Sequence, residues 1–297
     1  MTKSFNKFLF LILFLSACFT TAFAQGKIEH VILIGSDGFG AYAFEKANVP
    51  NLRKLMNQGS WTLKARTVLP SSSAPNWASM VMGAGPELHG YTKWGSQSPD
   101  LPARVLDEYG MFPTVYALLR KQKPKSEIGV IYEWDGIGYL FPKKAVDKDL
   151  NCDGDIALTK AATSYIKEKK PNFLFIHLHD VDSVGHNAGH GTADYYAAIE
   201  RTDTHIGSII KSIEEAGIMD KTAILFTADH GGINKGHGAI SMQEMQIPWI
   251  LAGPGIRKDN EIQESVMTFD TGATIAALLG LKTPQVWIAR PVKSAFK

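Results

Sequence analysis

The chain has 297 residues, of which 45% are hydrophobic, and it carries 31 basic and 29 acidic side chains. That apolar fraction supports a sizeable folded core and excludes a disordered chain. A formal charge of +2 leaves no basic footprint for nucleic acid.

The first segment reads as an export address. Lys3 and Lys7 precede an apolar stretch at 8–15, and Ala22-Phe23-Ala24 before Gln25 has the small-x-small form of a cleavage site. The stretch is short of the ~20 apolar residues that a membrane helix needs, and no later run approaches that length. Residues 1–24 are therefore expected to be a signal peptide, and 25–297 a single exported domain, periplasmic or secreted. Leu15-Ser16-Ala17-Cys18 offers an alternative, a lipobox in which Cys18 carries a lipid anchor. Cleavage after Ala24 leaves Cys152 as the sole cysteine, which excludes an internal disulfide. It also removes two lysines and no acids, so 29 basic groups face 29 acidic ones.

In chain order the hydrophobic pattern predicts a strand at 31–34, a helix at 51–58, a strand at 61–68 and a helix opening near Pro75 and Asn76. A strand at 127–131 and a helix at 156–169 follow, then a strand at 173–179 and a long helix at 194–216. Strands at 222–227 and 247–251 and a helix at 268–279 close the chain. Sustained alternation of this kind predicts a three-layer α/β/α fold around a mostly parallel sheet. Residues 90–148 are the least regular and are expected to supply substrate-facing loops. Asp149, Asn151, Asp153 and Asp155 fit half of a calcium loop, but its twelfth position is Lys160. The segment is read instead as a polar loop in which Asp155 caps the following helix.

Three clusters of ligand-type residues stand where apolar runs stop. They are Ser36-Asp37-Gly38, then Asp182 to His186, then Asp229-His230-Gly231 with Gly236-His237-Gly238. Open α/β sheets bind ligands beyond the carboxyl ends of their strands, so the clusters are expected to furnish two adjacent metal sites. An Asp/His mixture suits zinc, with manganese as the alternative. Asp182 and His186 are expected to meet across a tight turn at Gly185, and Gly231 and Gly232 to let the backbone approach a metal or anion. His177 and His179 share a strand side with Phe173 and Phe175 and are read first as strand-face residues, then as groups behind the ligands. His89, His190 and His205 are read as ordinary packed or surface histidines.

A nucleophile is sought in Ser71-Ser72-Ser73-Ala74-Pro75-Asn76-Trp77, a loop before a helix whose first amides favour a phosphate. A metal would lower the pKa of one hydroxyl and supply the activation that serine lacks.

With Pro86-Glu87-Leu88-His89-Gly90 added, these motifs resemble the alkaline phosphatase superfamily, and within it the type I phosphodiesterase/nucleotide pyrophosphatase family, over about 31–254. The resemblance implies an alkaline phosphatase-like fold and an exported, two-metal hydrolase of small phosphoric esters that works through a phosphoserine. It assigns Asp37, Asp229 and His230 to one ion, with Ser73 as nucleophile and further ligand, and Asp182, His186 and His237 to the other. Paired ions would activate the attacking oxygen and stabilise the departing one.

Two departures bear on the substrate. Trp94 stands where the family carries an asparagine that contacts a phosphoryl oxygen, and Lys93 beside it is a candidate substrate cation. Only six residues separate His230 from His237, so any insertion used there by other members is missing. Sulfatases on this fold require Arg where Trp77 stands. The expectation is a phosphodiesterase; the alternatives are a phosphomonoesterase, a sulfatase-like hydrolase and a catalytically silent metal-binding member.

Overall fold

A computed structural model of the chain describes residues 28–297. The expected signal segment and Cys18 lie outside them. The elements run β1 (His30–Ser36), α1 (Pro50–Gln58), β2 (Gly59–Arg66), α2 (Ser73–Met82), α3 (Pro86–His89), α4 (Val115–Gln122), β3 (Ile128–Tyr132) and β4 (Lys148–Asn151). They continue with α5 (Gly154–Lys169), β5 (Phe173–Leu178), α6 (Asp180–Ala188), α7 (Ala193–Glu215), β6 (Thr222–Ala228), α8 (Met242–Met245), β7 (Gln246–Ala252), β8 (Asn260–Glu261) and α9 (Asp270–Leu278).

The eight strands form one sheet in the order β4-β3-β5-β1-β6-β7-β2-β8. Only β7 runs antiparallel to its neighbours β6 and β2. The central strands are apolar runs with no polar alternation because both of their faces are covered. On one face α2 and α9 lie over Gly35, Phe175, His177 and Trp249: the Trp77 ring stands 5.4 Å from Phe175, and Trp249 donates Nε1–H to Thr271 Oγ1 at 3.1 Å. On the other face α1, α5 and α6 pack around α7.

Register places the site. Ser36 pairs with Leu178 on one side and Ala228 on the other, so β5, β1 and β6 end abreast. The next residues in the chain, Asp37, His179 and Asp229, leave the sheet along one line.

Several expectations are corrected. Strand β2 begins at Gly59, directly after α1, and ends at Arg66. A side chain at Gly59 would meet the Leu251 carbonyl at 2.2 Å, so glycine lets the chain turn from helix into strand against β7. Within 90–148 the strand expected at 127–131 is β3, and α4 is a helix not expected there. Residues 148–151 form the edge strand β4 instead of a loop. Asp155 does not cap α5; its two carboxylate oxygens accept the backbone N–H groups of His179 and Asp180 at 3.0 and 3.2 Å and so cap α6. Among the described residues no helix is long and apolar enough to cross a membrane.

Candidate functional site

Asp37 follows β1 and is sealed from solvent. Its Oδ2 accepts Trp77 Nε1–H at 3.1 Å and a ring nitrogen of His177 at 3.0 Å. That leaves Oδ1 unpartnered and aimed at His230 Nε2, 3.3 Å away. Asp229, after β6, is arranged in the same way. Its Oδ1 accepts Gly38 N–H at 3.1 Å, and its free Oδ2 stands 3.1 Å from His230 Nε2. Ser73, the first residue of α2, brings Oγ to 3.2 Å from the same nitrogen.

The second group faces the cleft. Asp182 Oδ2 lies 3.3 Å from His186 Nε2, and its unpartnered Oδ1 lies 3.9 Å from His237 Nε2. The two imidazole Nε2 atoms are 3.1 Å apart. Asp182 and His186 meet as i and i+4 neighbours on α6, so a helix and not the expected tight turn joins them.

Tautomers decide what these groups offer. His230, His186 and His237 place Nδ1 at 2.8, 2.9 and 3.2 Å from the carbonyls of Gly231, Lys235 and Ser71. A carbonyl only accepts, so each Nδ1 carries a proton and Nε2 is the nitrogen that each ring can offer to an ion. Three imidazole Nε2 atoms and three carboxylate oxygens without a hydrogen-bond partner therefore converge, an arrangement that needs either added protons or a cation between its members. Nitrogen and oxygen donors with their other atoms fixed by hydrogen bonds are what a divalent ion such as zinc takes. The residues present thus fit a metal pair, Asp37, Asp229 and His230 in one group and Asp182, His186 and His237 in the other.

The titration behaviour agrees. For Asp37 burial acts upward, but the hydrogen bonds of His177 and His179 and the nearby His230 outweigh it and hold the carboxyl well below the carboxylate range. Burial, with the charges of Asp37 and Asp182, pushes Asp229 well above that range. Two carboxylates on one imidazole cannot both hold charge unaided. Burial, with His237 alongside, lowers His230 to about 4 and keeps it neutral. His186 is raised to about 8 by its hydrogen bond to Asp182, so without an ion its Nε2 carries a proton that a bound metal would displace.

Residues that sequence reasoning missed hold the ligands in place. Trp77 stands out in the sequence only as the residue in place of a sulfatase arginine, yet it fixes Asp37. Its ring also fills the space over Gly35, where an added Cβ would meet it at 2.4 Å. His177, read first as a strand-face residue, is a donor to Asp37; the alternation that aligns it with Phe175 is the available signal. Gly38 has φ +69°, and a Cβ there would lie 2.8 Å from that of Asp182, so only glycine lets β1 and α6 approach this closely. Its carbonyl accepts Tyr195 Oη–H at 2.7 Å. His190 is buried, with Nε2 at 3.9 Å from Asp182 Oδ1, and its ring occupies the space over Gly185 and Gly232. Gly231 lies against the Gln243 carbonyl. Those glycines accommodate protein packing, not the approach of an anion.

Around Ser73 a cleft of ≈ 730 Å³ is lined by Thr92, Lys93, Trp94, Trp134, His179 and His237 among others. Lys93 places its Nζ 3.2 Å from Asp100 Oδ1, in an ion pair open to solvent. The first amides of α2 are mostly taken: Ala74 N–H donates to Trp94 O at 3.2 Å, Pro75 has none, and Asn76 N–H donates to Ser72 O at 3.2 Å.

A family model described as type I phosphodiesterase/nucleotide pyrophosphatase matches residues 31–245. Ectonucleotide pyrophosphatase/phosphodiesterase family member 3 of Bos taurus is 26% identical over 215 residues, which cover 68% of this chain and 24% of that protein. Among solved structures, an inactive variant of murine ectonucleotide pyrophosphatase/phosphodiesterase 5 in complex with AMP superposes with a TM-score of 0.71 at 15% identity, covering 86% of this chain and 96% of that one. A 2-O GAG sulfatase gives 0.72 at 15% identity, covering 91% and 74%. These neighbours share the alkaline phosphatase-like fold, a mixed and mostly parallel sheet flanked by helices. The chain spans about a quarter of the length of the mammalian relatives it matches. With the family model running from the first strand to the end of α8, the chain belongs to the type I phosphodiesterase/nucleotide pyrophosphatase family.

Proposed function

We propose that this chain is a two-metal hydrolase of small phosphoric esters, with phosphodiesters favoured and Ser73 as nucleophile. The observation that carries the reading is the meeting of Asp37 Oδ1, Asp229 Oδ2 and Ser73 Oγ on the single lone pair of His230 Nε2. Asp37, Asp229 and His230 would hold one ion with Ser73 as a further ligand, and Asp182, His186 and His237 the other. Zinc suits this donor set, with manganese as the alternative. When bound, such ions lower the pKa of a coordinated hydroxyl and neutralise charge on a departing oxygen.

The chain's own groups do the rest. The start of α2 fixes Ser73 Oγ beside the ligands, and burial keeps bulk water from it. Attack of Oγ on phosphorus forms a serine phosphoester as the bond to the leaving alkoxide breaks. Water then cleaves that ester and returns the hydroxyl. Trp77 and His177 hold Asp37 Oδ2 throughout, leaving Oδ1 free for its task.

A monoester dianion would call for extra cations. Lys93, the one lysine or arginine lining the cleft among the described residues, is already paired with Asp100. The AMP bound by the murine relative supports a nucleotide-like ester as substrate. Sulfatase chemistry is disfavoured because Trp77, in place of arginine, has its N–H committed to Asp37. Export rests on the sequence of residues 1–24, with the lipid anchor at Cys18 as its alternative.

The test is hydrolysis of paired chromogenic phosphodiester, phosphomonoester and sulfate ester substrates by the metal-reconstituted protein. Diester turnover that a chelator abolishes is expected to exceed the other two. Ser73→Ala is expected to lower it ~10³-fold or more with metal content retained. A Ser73→Ala protein with near-normal rates would remove the nucleophile from the scheme.

A further inference from the structure

Ser71 has no part in the chemistry assigned to Ser73, yet it is fully buried. Its carbonyl accepts His237 Nδ1–H at 3.2 Å, and its hydroxyl donates to the Ala239 carbonyl at 2.6 Å. One residue thus grips the His237 loop twice, at the ligand's ring and again two residues beyond it. The segment that does the gripping is itself fixed. Asn76 of α2 accepts Val68 N–H at 2.7 Å and donates to the carbonyls of Pro70 and Ser72 at 3.1 and 2.9 Å.

Glu244 holds the same loop from the other side. Its Oε1 accepts Ala239 N–H at 2.9 Å, and its Oε2 accepts the N–H and the hydroxyl of Ser241 at 3.2 and 2.5 Å. Glu244 is buried, and the short helix α8 that carries it is seated: Gly231 N–H donates to Glu244 O at 2.8 Å and Thr67 N–H to Met245 O at 3.0 Å. Both backbone groups of Ala239 are therefore taken. Packing does little here, because Ala239 and Ile240 are exposed and a Cβ added at Gly236 or Gly238 would meet nothing within 4 Å among the described residues. The His237 ring does stack on His230, with centroids 3.7 Å apart, but stacked rings can slide in their planes and the stack alone does not aim Nε2.

We propose that Ser71 and Glu244 are positioning residues for the outer ion: by holding Ala239 between them they aim His237 Nε2 at Asp182 and His186. This rests on the two-metal reading above. Ser73 follows Ser71 by two residues, so the same brace ties the outer ligand to the nucleophile and fixes the spacing that an ester must bridge. A loop held in advance also spares the ordering cost that a free loop would meet on each binding of an ion.

Competition titrations of the full-length protein against a chelator, with zinc as the probe, test the brace. The binding step that His186→Ala abolishes identifies the outer ion. Ser71→Ala removes only the hydroxyl, and outer-ion affinity should fall about tenfold while the buried ion stays within about twofold. Glu244→Ala should do at least as much. Glu244→Gln keeps an oxygen for Ala239 but cannot accept from Ser241 with its amide nitrogen, so about a threefold loss is expected, and it keeps the test decisive if the alanine variant does not fold. A merely structural role would lower both affinities together. Exchange of the Ala239 amide in metal-free protein reads the grip without any ion, and should be at least about tenfold faster in Ser71→Ala than in the parent. Unchanged outer-ion affinity in Ser71→Ala, equal losses at both ions, or unchanged Ala239 exchange overturns the brace and leaves the hydrolase reading standing. A parent protein that takes up no zinc and turns over no ester overturns the hydrolase reading, and Ala239 exchange then decides the brace by itself.

Discussion

The two halves of the candidate metal centre differ in their relation to the core. Asp37, Asp229 and His230 have no exposed side-chain surface, whereas His186 leaves 44% of its side chain open to the cleft. The buried half hangs directly from β1 and β6, the middle of the sheet, and its surplus carboxylate charge has no water to relieve it. The outer half is carried by α6 and the loop at His237; Asp182 and His237 are largely buried there too, with 6% and 8% of their side chains exposed, and solvent reaches this half mainly at His186. An ion in the buried half should therefore stabilise the fold as well as take part in chemistry, while one in the outer half should matter mainly to turnover and exchange more readily.

Two substitutions break that symmetry most strongly. Asp229→Asn and His186→Ala should each lower diester turnover ~10³-fold or more. Their stabilities should diverge. Asp229→Asn removes the cost of burying that carboxyl beside Asp37, so the metal-free protein should gain roughly 1–3 kcal/mol at neutral pH while the metal-loaded protein loses stability. His186→Ala should leave the metal-loaded melting temperature nearly unchanged. Metal analysis with calorimetry reads both, and equal losses in the two variants would show that the halves are energetically alike.

Trp77→Phe sharpens the same contrast, because it deletes one N–H donor to Asp37 and keeps most of the packing. Affinity for the buried ion should fall about 10–100-fold, with the outer ion unaffected in competition titrations against a chelator. Gly38→Ala touches the seam where the halves meet. Its positive φ and the 2.8 Å approach to Asp182 predict a loss of about 1–3 kcal/mol, read by denaturant unfolding.

A further effect, seen only in acid, lies away from the metals. Burial lowers His89 to about 3, and its Nε2 lies 2.9 Å from Ser79 Oγ. The unfolded chain takes up that proton near pH 6.5 and the folded one only near its lowered value. Stability from this group is thus complete above about pH 6.5 and declines as pH falls toward about 3, at up to ~1.4 kcal/mol per pH unit. His89→Gln should flatten the acid limb of a stability profile recorded on chelated protein, which separates this loss from acid release of metal.

Much of the sheet and of the ligand set is legible in the chain's local patterns. The apolar runs at β1, β5 and β6 and the Asp, His and Gly that end each of them suffice to expect a parallel sheet with ligands at its carboxyl edge, because strand burial and strand termination are written locally. The same local logic fails at α6. Gly185 suggests a turn, but capping by Asp155, distant in sequence, starts a helix there and sets Asp182 and His186 one turn apart. It fails again at His177 and Trp77, whose apolar neighbours make packing the natural reading.

What the sequence determined by itself was composition of the site: which side chains have the lone pairs and charges to hold metal, and that strand ends would present them. What only the tertiary structure decided was which atoms meet. His177 reaches Asp37 across 140 residues and Gly38 reaches Asp229 across 191. Those meetings depend on the register of β5 and β6 against β1, and register is set by packing summed over both faces of the sheet, with no signature in any one segment.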